Sequence, residues 1–298
     1  MSRRSGPLVR TGPAALLASL LLLVQPLAAQ TAPAHTCLWR VTGGQNTVYL
    51  LGSIHMLPPD AWPLPEPMRH AFDRAATVVF EADLGNAVEA GLLMLQRAAL
   101  PAGTTLATVL PANLHTRLTA AVRRLGGDPG GLERVKPWFA AITLTSLELE
   151  AAGYHASEGI DLRLWSRATS AGKKTGGLET LAHQIDILDS FTMAEQIELL
   201  RQSLDELDTV VPELDRLTEL WRTGRAEALA SMLRGTFKDA PGAYRKLVLE
   251  RNRAWLPKIL AMTRRPGDVL VVVGVLHLVG PEGLVQSLRS HGLTVVQE

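Results

Sequence analysis

Short runs of apolar, β-favouring residues mark both ends of the chain as sheet-forming. Each run is a few residues long, and most are followed by glycine or a charged residue, as is typical of strands buried in a sheet. The runs span residues 37–42, 46–51, 77–80, 268–273 and 293–296, with a glycine-rich turn at 43–45 between the first two. A weaker candidate strand at 174–178 contains two glycines, which reduce strand stability.

The middle of the chain has a helical pattern, because its apolar residues recur every three or four positions. Helices are predicted at 114–125, 137–150, 159–171, 181–207 and 211–233, and outside this region at 65–75 and 283–290. Strands at both ends with helices between them indicate an α/β fold. We expect a single domain over residues 30–298, with a central mixed sheet built from the N- and C-terminal parts, flanking helices, and a helical insertion at about 87–260 over the strand ends.

The first thirty residues have the layout of an export signal. Arg3, Arg4 and Arg10 precede an apolar run at 14–24, and Pro26 and the small residues at 28–29 follow it. The run is shorter than the ~20 residues that span a bilayer. We therefore predict a signal peptide at 1–29 and a periplasmic or secreted protein, with an uncleaved anchor as the alternative. No later segment is apolar for long enough to predict a transmembrane span.

Composition excludes several classes of function. The 298 residues carry 30 Lys+Arg against 29 Asp+Glu, so no strong basic field is available to bind a nucleic acid. The single cysteine, Cys37, excludes an intramolecular disulfide framework and a cysteine-rich zinc site. The 47% of hydrophobic residues is normal for a packed domain. The composition leaves the oligomeric state and the role of Cys37 open.

Two similar motifs follow the predicted strands. Gly52 begins a Gly-x-x-His motif that ends at His55, Gly274 begins another that ends at His277, and Glu81 directly follows the strand at 77–80. Open α/β sheets bind ligands at the carboxyl ends of their strands. Two imidazoles and a carboxylate there are typical of a divalent-metal site, and equally of a metal-free acid/base site. A third interpretation is that each motif is only the end of an ordinary strand and that its histidine is a polar surface residue.

Other polar residues near these motifs are weaker candidates. Ser53 lacks the Gly-x-Ser-x-Gly context of a hydrolase nucleophile, so a hydrogen-bonding role is favoured. Asp161 and Glu179 lie near predicted turns, where capping or solvation is the simpler interpretation. Arg251 and Asn252 lie in a charged helical segment, where a surface ion pair is the simpler interpretation.

The order and spacing of several motifs resemble those of TraB/GumN proteins. The resemblance extends from about residue 38 to 296. It rests on Leu38-Trp-Arg-Val41, Leu51-Gly-Ser-Ile-His55, Phe80-Glu-Ala-Asp83, Gly159-Ile-Asp161, Gly177-Leu-Glu-Thr180 with Gln184, Glu250-Arg-Asn252 and Val273-Gly-Val-Leu-His-Leu-Val-Gly-Pro-Glu-Gly283. This group is similar to the Tiki metalloproteases and, more distantly, to erythromycin-esterase and ChaN-like proteins.

The resemblance implies a site as well as an α/β core. It implies that His55, Glu81 and His277 form the catalytic or metal-binding centre, with Mn, Zn or Co as the divalent ion. Supporting or substrate-binding roles fall on Gly52, Ser53, Asp161, Glu179, Arg251, Asn252 and Gly274. Gly176 stands where many relatives have an apolar residue, which weakens the case for a strand there.

The function that these features predict is an exported, metal-dependent hydrolase acting on a peptide or another small substrate. The ChaN-like resemblance implies an alternative, a non-enzymatic haem- or tetrapyrrole-binding protein with an axial histidine. A third alternative, suggested by the names in the family, is an accessory factor in exopolysaccharide or peptide-signal handling.

Overall fold

A six-stranded mixed sheet forms the centre of the computed structural model, which describes residues 35–238 and 240–298. The strands lie in the order β4-β3-β5-β2-β1-β6. Their bounds are β1 Leu38–Thr42, β2 Val48–Ser53, β3 Thr77–Ala82, β4 Lys174–Glu179, β5 Val269–Gly274 and β6 Thr294–Gln297. The predicted α/β fold with a mixed sheet is therefore confirmed. The predicted signal peptide, residues 1–29, lies outside the described residues.

Four neighbouring strands run parallel and end at the same edge of the sheet. β3 pairs in parallel with both β4 and β5, and β5 pairs in parallel with β2. The register places Ser53 opposite Gly274 and Ala82 opposite Glu179. β1 and β6 extend the sheet with antiparallel pairing, and the β1–β2 hairpin turns through Gly43 at a φ of 106°. The candidate residues that end β2, β3, β4 and β5 are thus brought to one edge.

The strands begin or end within a few residues of the predicted positions, and two differences concern the site. β2 continues to Ser53, so Gly52 lies inside the strand instead of after it. β3 continues to Ala82, so Glu81 belongs to the strand although the apolar run ends at Phe80. A buried carboxylate is tolerated there because polar groups surround it, as described below.

Helices pack on the sheet and form most of the region between β3 and β5. Two predicted helices, 181–207 and 211–233, are each divided in two, and predicting them as continuous was wrong. Thr192 caps a new helix with Glu195 in a capping box, and Gly224 turns the chain at a φ of 63°. The helices are α1 Glu66–Arg74, α2 Ala87–Ala98, α3 Leu106–Val109, α4 Ala112–Arg124, α5 Pro137–Ala151, α6 Ile160–Ser170, α7 Leu181–Asp189, α8 Met193–Asp205, α9 Val210–Arg222, α10 Ala226–Thr236, α11 Pro241–Tyr244, α12 Glu250–Met262 and α13 Leu284–Ser290.

Two apolar clusters stabilise this arrangement. The larger cluster contains the fully buried residues of β2 and β5 together with parts of α1, α6, α12 and α13. The apolar runs of these strands have both faces covered, as expected for parallel strands under helices. A second cluster joins α4, α5 and α8 away from the sheet. Within residues 35–238 and 240–298, no helix combines the length and the apolar character needed to cross a membrane.

The two glycines of β4 differ in the space around them. A Cβ on Gly177 would lie 2.4 Å from the backbone nitrogen of Asp83, at the end of β3, whereas a Cβ on Gly176 would meet nothing within 4 Å. Close approach of two backbones at this edge thus explains only one of the two glycines.

We predict that Gly177→Ala lowers the free energy of unfolding by about 1–3 kcal/mol, because the added methyl group forces β4 away from β3. Gly176→Ala is the matched control and should leave that free energy unchanged or raise it by about 0.4–1 kcal/mol. Urea unfolding of both variants measures this difference. Equal stability of the two variants would contradict the proposed backbone contact.

Candidate functional site

The buried part of the candidate site lies at the shared carboxyl edge of β3, β4 and β5. Glu81 comes from β3 and Glu179 is the last residue of β4. His277 follows β5 through a single helical turn, Val275–His277, and its side chain is buried. Arg251 and Asn252 reach the same place from the first turn of α12. Residues that are far apart in the sequence therefore form one cluster.

Arg251 is the centre of this cluster. Its guanidinium Nη2 lies 2.6 Å from Glu81 Oε2 and 2.6 Å from Glu179 Oε1. Its side chain is 11% exposed, and those of Glu81 and Glu179 are 9% and 6% exposed. The guanidinium also stacks on the ring of Trp255, 4.6 Å from the ring centroid. A buried cation between two buried carboxylates is strongly held, because removing one partner leaves an uncompensated charge.

Glu81 accepts hydrogen bonds at both of its carboxylate oxygens. Oε1 accepts from the backbone N–H of Gly274 at 2.8 Å, and Oε2 accepts from Gln184 at 3.2 Å as well as from Arg251. Burial alone would raise the pKa of Glu81. The neighbouring imidazoles of His277 and His55, the guanidinium and the Gly274 N–H outweigh burial and lower the pKa to about 2. Glu81 is therefore ionised at neutral pH.

Asn252 sets the tautomer of His277. The amide nitrogen of Asn252 donates to the carbonyl oxygens of His277 and Glu282, at 3.2 and 3.3 Å, so its amide oxygen faces the ring. That oxygen lies 2.8 Å from His277 Nδ1 and can only accept, which assigns the proton to Nδ1. Burial lowers the pKa of His277 to about 4. The ring is therefore neutral at pH 7, and its Nε2 carries a lone pair.

The lone pair on Nε2 of His277 faces the ion pair of Arg251 and Glu81. Nε2 of His277 lies 3.2 Å from Arg251 Nη1, which donates to it, and 3.9 Å from Glu81 Oε1. The ring also packs on Trp255, with 4.6 Å between centroids. His277, Arg251 and Glu81 thus form one hydrogen-bonded group.

His55 has a different environment from His277, although the two motifs look alike. Its side chain is 66% exposed, and its Nδ1 lies 2.8 Å from the Asp161 carboxylate. Asp161 also accepts a hydrogen bond of 2.9 Å from the Ser53 hydroxyl. The Asp161 carboxylate raises the pKa of His55 to about 9. His55 is therefore protonated at neutral pH and accessible to solvent, whereas His277 is neutral and enclosed.

The structure corrects three interpretations drawn from the sequence. Arg251 does not form a surface ion pair within its helix, because it is largely enclosed and pairs with Glu81 and Glu179, and Asn252 beside it is buried. Glu179 is neither a cap nor solvated, because it accepts from Arg251 and, at 3.0 Å, from the indole of Trp255. Asp161 lies in the first turn of α6 but forms no cap there and binds Ser53 and His55 instead.

The two motif glycines are needed for close packing. A Cβ on Gly52 would lie 2.7 Å from the side chain of Val275, and one on Gly274 would lie 3.2 Å from Glu81 Oε1. Gly274 also donates its N–H to Glu81, so a shift of this backbone would disturb the carboxylate.

Gln184 and Trp255 belong to the cluster, although no site role was assigned to them from the sequence. The sequence did contain a signal for Trp255, because it follows Arg251 by one helical turn and so shares its helix face. The sequence signal for Gln184 was its place beside the Gly177-Leu-Glu-Thr180 motif in the family resemblance. It lies on α7, which begins directly after Thr180, and its amide nitrogen lies 3.2 Å from Glu81 Oε2.

A divalent metal ion matches the residue types at this site but not their arrangement. Two imidazoles and an ionised carboxylate are suitable ligands. However, the guanidinium of Arg251 already contacts Glu81 Oε2 and His277 Nε2, and a bound cation would be repelled by it. In the part of the chain that the structure describes, no group of three His, Cys, Asp or Glu side chains is placed to hold a metal ion. The residues as arranged do not fit a resident metal.

Comparison with known proteins supplies relatives for almost the whole described chain. The family model described as TraB/PrgY/gumN family matches residues 37–297. The uncharacterized protein YbaP of Escherichia coli is 28% identical over 246 residues, which cover 83% of this chain and 89% of YbaP. An uncharacterized protein of Treponema pallidum is 25% identical over 273 residues, which cover 86% of this chain and 80% of that protein.

A more distant match carries a functional name. The metalloprotease TIKI2 of Danio rerio is 28% identical over 180 residues, which cover 52% of this chain and 35% of TIKI2. No solved structure matches the chain significantly.

We predict that Asn252→Asp raises the pKa of His277 by about 1–3 pH units, because a carboxylate beside Nδ1 stabilises the protonated ring. In the unsubstituted protein the ring should be neutral, with its proton on Nδ1, down to about pH 4. NMR of the imidazole nitrogens during a pH titration measures both properties. Asn113→Asp, which adds the same charge at an exposed position on α4, should leave the titration of His277 unchanged. A proton on Nε2 at neutral pH would contradict the assignment.

Proposed function

This chain belongs to the TraB/PrgY/gumN family, and from that premise we propose that it is a hydrolase of peptide or other amide bonds. The relative named as a metalloprotease supports hydrolysis as the reaction class, over the half of the chain that it matches. The geometry of the site supports the more specific part of the proposal, namely the roles of the individual residues.

The observation that carries the proposal is the buried, ionised Glu81, which is paired with Arg251 and lies 3.9 Å from the neutral His277, with the protonated His55 close enough for its charge to lower the pKa of Glu81. Charges in an enclosed site act more strongly than they would in water, because little solvent screens them. An ionised carboxylate and a protonated imidazole that coexist at one pH can serve as the proton acceptor and the proton donor of acid/base catalysis. The site thus offers a base and a fixed positive charge in the buried cluster and a proton donor at its edge.

Each group has a role in the proposed reaction. The water oxygen bonds to the carbonyl carbon as Glu81 accepts one of its protons, the C–N bond breaks as the amine is protonated, and the proton on Glu81 then returns through solvent to the proton donor. The Gln184 amide, at 3.2 Å, is the longest hydrogen-bond partner of Glu81 and the one that a water molecule most readily replaces. The five N–H groups of Arg251 already donate to Glu81, Glu179, His277 and the Leu247 carbonyl, so its positive charge favours the developing negative charge on the carbonyl oxygen through space, without a direct hydrogen bond. His55, protonated and exposed at the edge of the site, donates a proton to the departing amine.

His277 and Asp161 position the reacting groups. His277 accepts a hydrogen bond from Arg251 Nη1 and so fixes the plane of the guanidinium. Asp161 holds His55 through Nδ1, which leaves Nε2 of His55 free to face a substrate. Ser53 orients Asp161 through its hydroxyl, in keeping with a hydrogen-bonding role instead of a nucleophilic one.

A divalent ion, Mn, Zn or Co, held by His55, Glu81 and His277 stays a prediction of the sequence resemblance. In the mechanism proposed here the guanidinium of Arg251 supplies the positive charge, and no step uses a metal. Metal dependence of the reaction would require Arg251 to leave Glu81 and His277.

We also propose that the protein is exported and acts on its substrate outside the cytoplasm, because residues 1–29 have the pattern of a signal peptide. N-terminal sequencing of the protein from expressing cells tests this proposal. A mature chain that begins near Gln30 would support export, and a chain that retains Arg3 and Arg4 would contradict cleavage.

We predict that Glu81→Gln lowers the rate of peptide hydrolysis by about 10²–10⁴-fold, because the amide cannot accept the proton of water. A mixture of fluorescence-quenched peptides serves as substrate, and circular dichroism checks that the fold is retained. Glu148→Gln, which alters a carboxylate on α5 that pairs with Arg124, should keep the full rate. Full activity of a folded Glu81→Gln protein would contradict the proposal.

If no peptide is cleaved, haemin titration separates the haem-binding alternative from the hydrolase. The exposed imidazole of His55 is the histidine that a haem could reach without disturbing the buried cluster. A Soret band that His55→Ala removes would favour haem binding over hydrolysis.

A further inference from the structure

A cavity of about 430 Å³ adjoins the charged cluster, on the side of β3 and β4. Its floor is formed by Glu179 and the residues that follow it into α7, and its wall is formed by α2. Asp83, two residues beyond Glu81, also lines it. The cavity is within the ~300–1,000 Å³ range of small-molecule sites. Glu179, which pairs with Arg251, also lines the cavity, so the cavity lies next to the candidate reaction centre.

The wall of the cavity exposes apolar side chains. Leu92 lines the cavity and is 67% exposed, and Leu93 lies beside it. Val88 and Leu95 on the same helix are also exposed, at 83% and 59%. Large apolar side chains grouped on one exposed helix face are typical of a binding surface. Arg97 of the same helix forms an exposed ion pair with Asp186 of α7 at 3.0 Å.

The rim of the cavity is acidic. Asp83 and Glu89 both line it, both are exposed, and neither has an ion-pair partner within 4.0 Å among residues 35–238 and 240–298. Asp83 uses one oxygen to accept the N–H of Gly85, so its carboxylate is held at the rim. The single positive charge of Arg251 is shared between Glu179 and Glu81, so it leaves no excess positive charge at the cavity. The net charge left at the cavity is therefore negative, which attracts a positively charged group.

We propose that this cavity is a substrate subsite that binds a peptide segment in which an apolar side chain stands next to a lysine or arginine. The apolar side chain packs on Leu92 and Leu93, and the basic side chain lies between Asp83 and Glu89. The proposal rests on the proposed function, since it places the segment beside the centre that would cleave the peptide. It adds a preference that the charged cluster alone does not explain.

Binding can be measured separately from cleavage. The probes are N-acetylated, C-amidated Leu-Lys, Leu-Gln and Ser-Lys, titrated into protein with labelled leucine methyl groups. Leu-Lys should bind most tightly, each of the other two about threefold more weakly, and the Leu93 methyl resonances should shift with all three. Leu92→Ser should weaken binding of the two leucine peptides by about threefold.

Two further variants separate charge from packing. The double variant Asp83→Asn, Glu89→Gln should remove the preference for Leu-Lys over Leu-Gln and keep the preference for Leu-Lys over Ser-Lys. Val88→Ser changes an exposed apolar residue of α2 that does not line the cavity, so it should leave all three dissociation constants unchanged.

Equal dissociation constants for the three peptides, or constants that Leu92→Ser does not change, would overturn the subsite. Chemical-shift changes in leucine methyl groups other than those of Leu93 would also overturn the subsite. Failure of the hydrolase proposal is a separate result, namely that the peptide mixture is not cleaved. Binding of Leu-Lys with the expected preference would then still identify the cavity as a peptide-binding site.

Discussion

The salt bridges from Arg251 to Glu81 and Glu179 are the interaction on which the rest of the site depends. A buried guanidinium is stable only with anionic partners, and the partners come from β3 and β4 while Arg251 comes from α12. The ion pairs therefore require the strands and the helix to meet at one place. Trp255 strengthens this requirement, because its ring packs on the guanidinium and its indole N–H binds Glu179.

The two Gly-x-x-His motifs show how neighbouring residues change the chemistry of a side chain. His277 is buried and faces an amide at Nδ1, so it is neutral and offers a lone pair at Nε2. His55 is exposed and faces a carboxylate at Nδ1, so it is protonated. The same four-residue motif thus gives one hydrogen-bond acceptor inside the site and one proton donor at its edge. This difference supports separate roles better than a symmetric pair of metal ligands.

The sheet could be predicted from the sequence because buried parallel strands read as continuous apolar runs, as in residues 268–273. The convergence of His55, Glu81 and His277 at one edge also followed from the rule for strand ends. The burial of Arg251, Asn252 and Glu179 could not be predicted in this way. Charged and polar residues on a helix or an edge strand are expected at the surface until their buried partners are known. The breaks near Thr192 and Gly224 were missed because apolar spacing continues across them.

Arg251, and not a metal ion, supplies the positive charge beside Glu81 and His277 in the proposed mechanism. Elemental analysis of the purified chain from residue 30 onward, combined with peptide hydrolysis before and after treatment with a chelator, tests it most directly. We expect no stoichiometric transition metal and the same rate of hydrolysis after chelation. One equivalent of Mn, Zn or Co per chain, lost in both His55→Ala and His277→Ala, with hydrolysis abolished by the chelator, would contradict it.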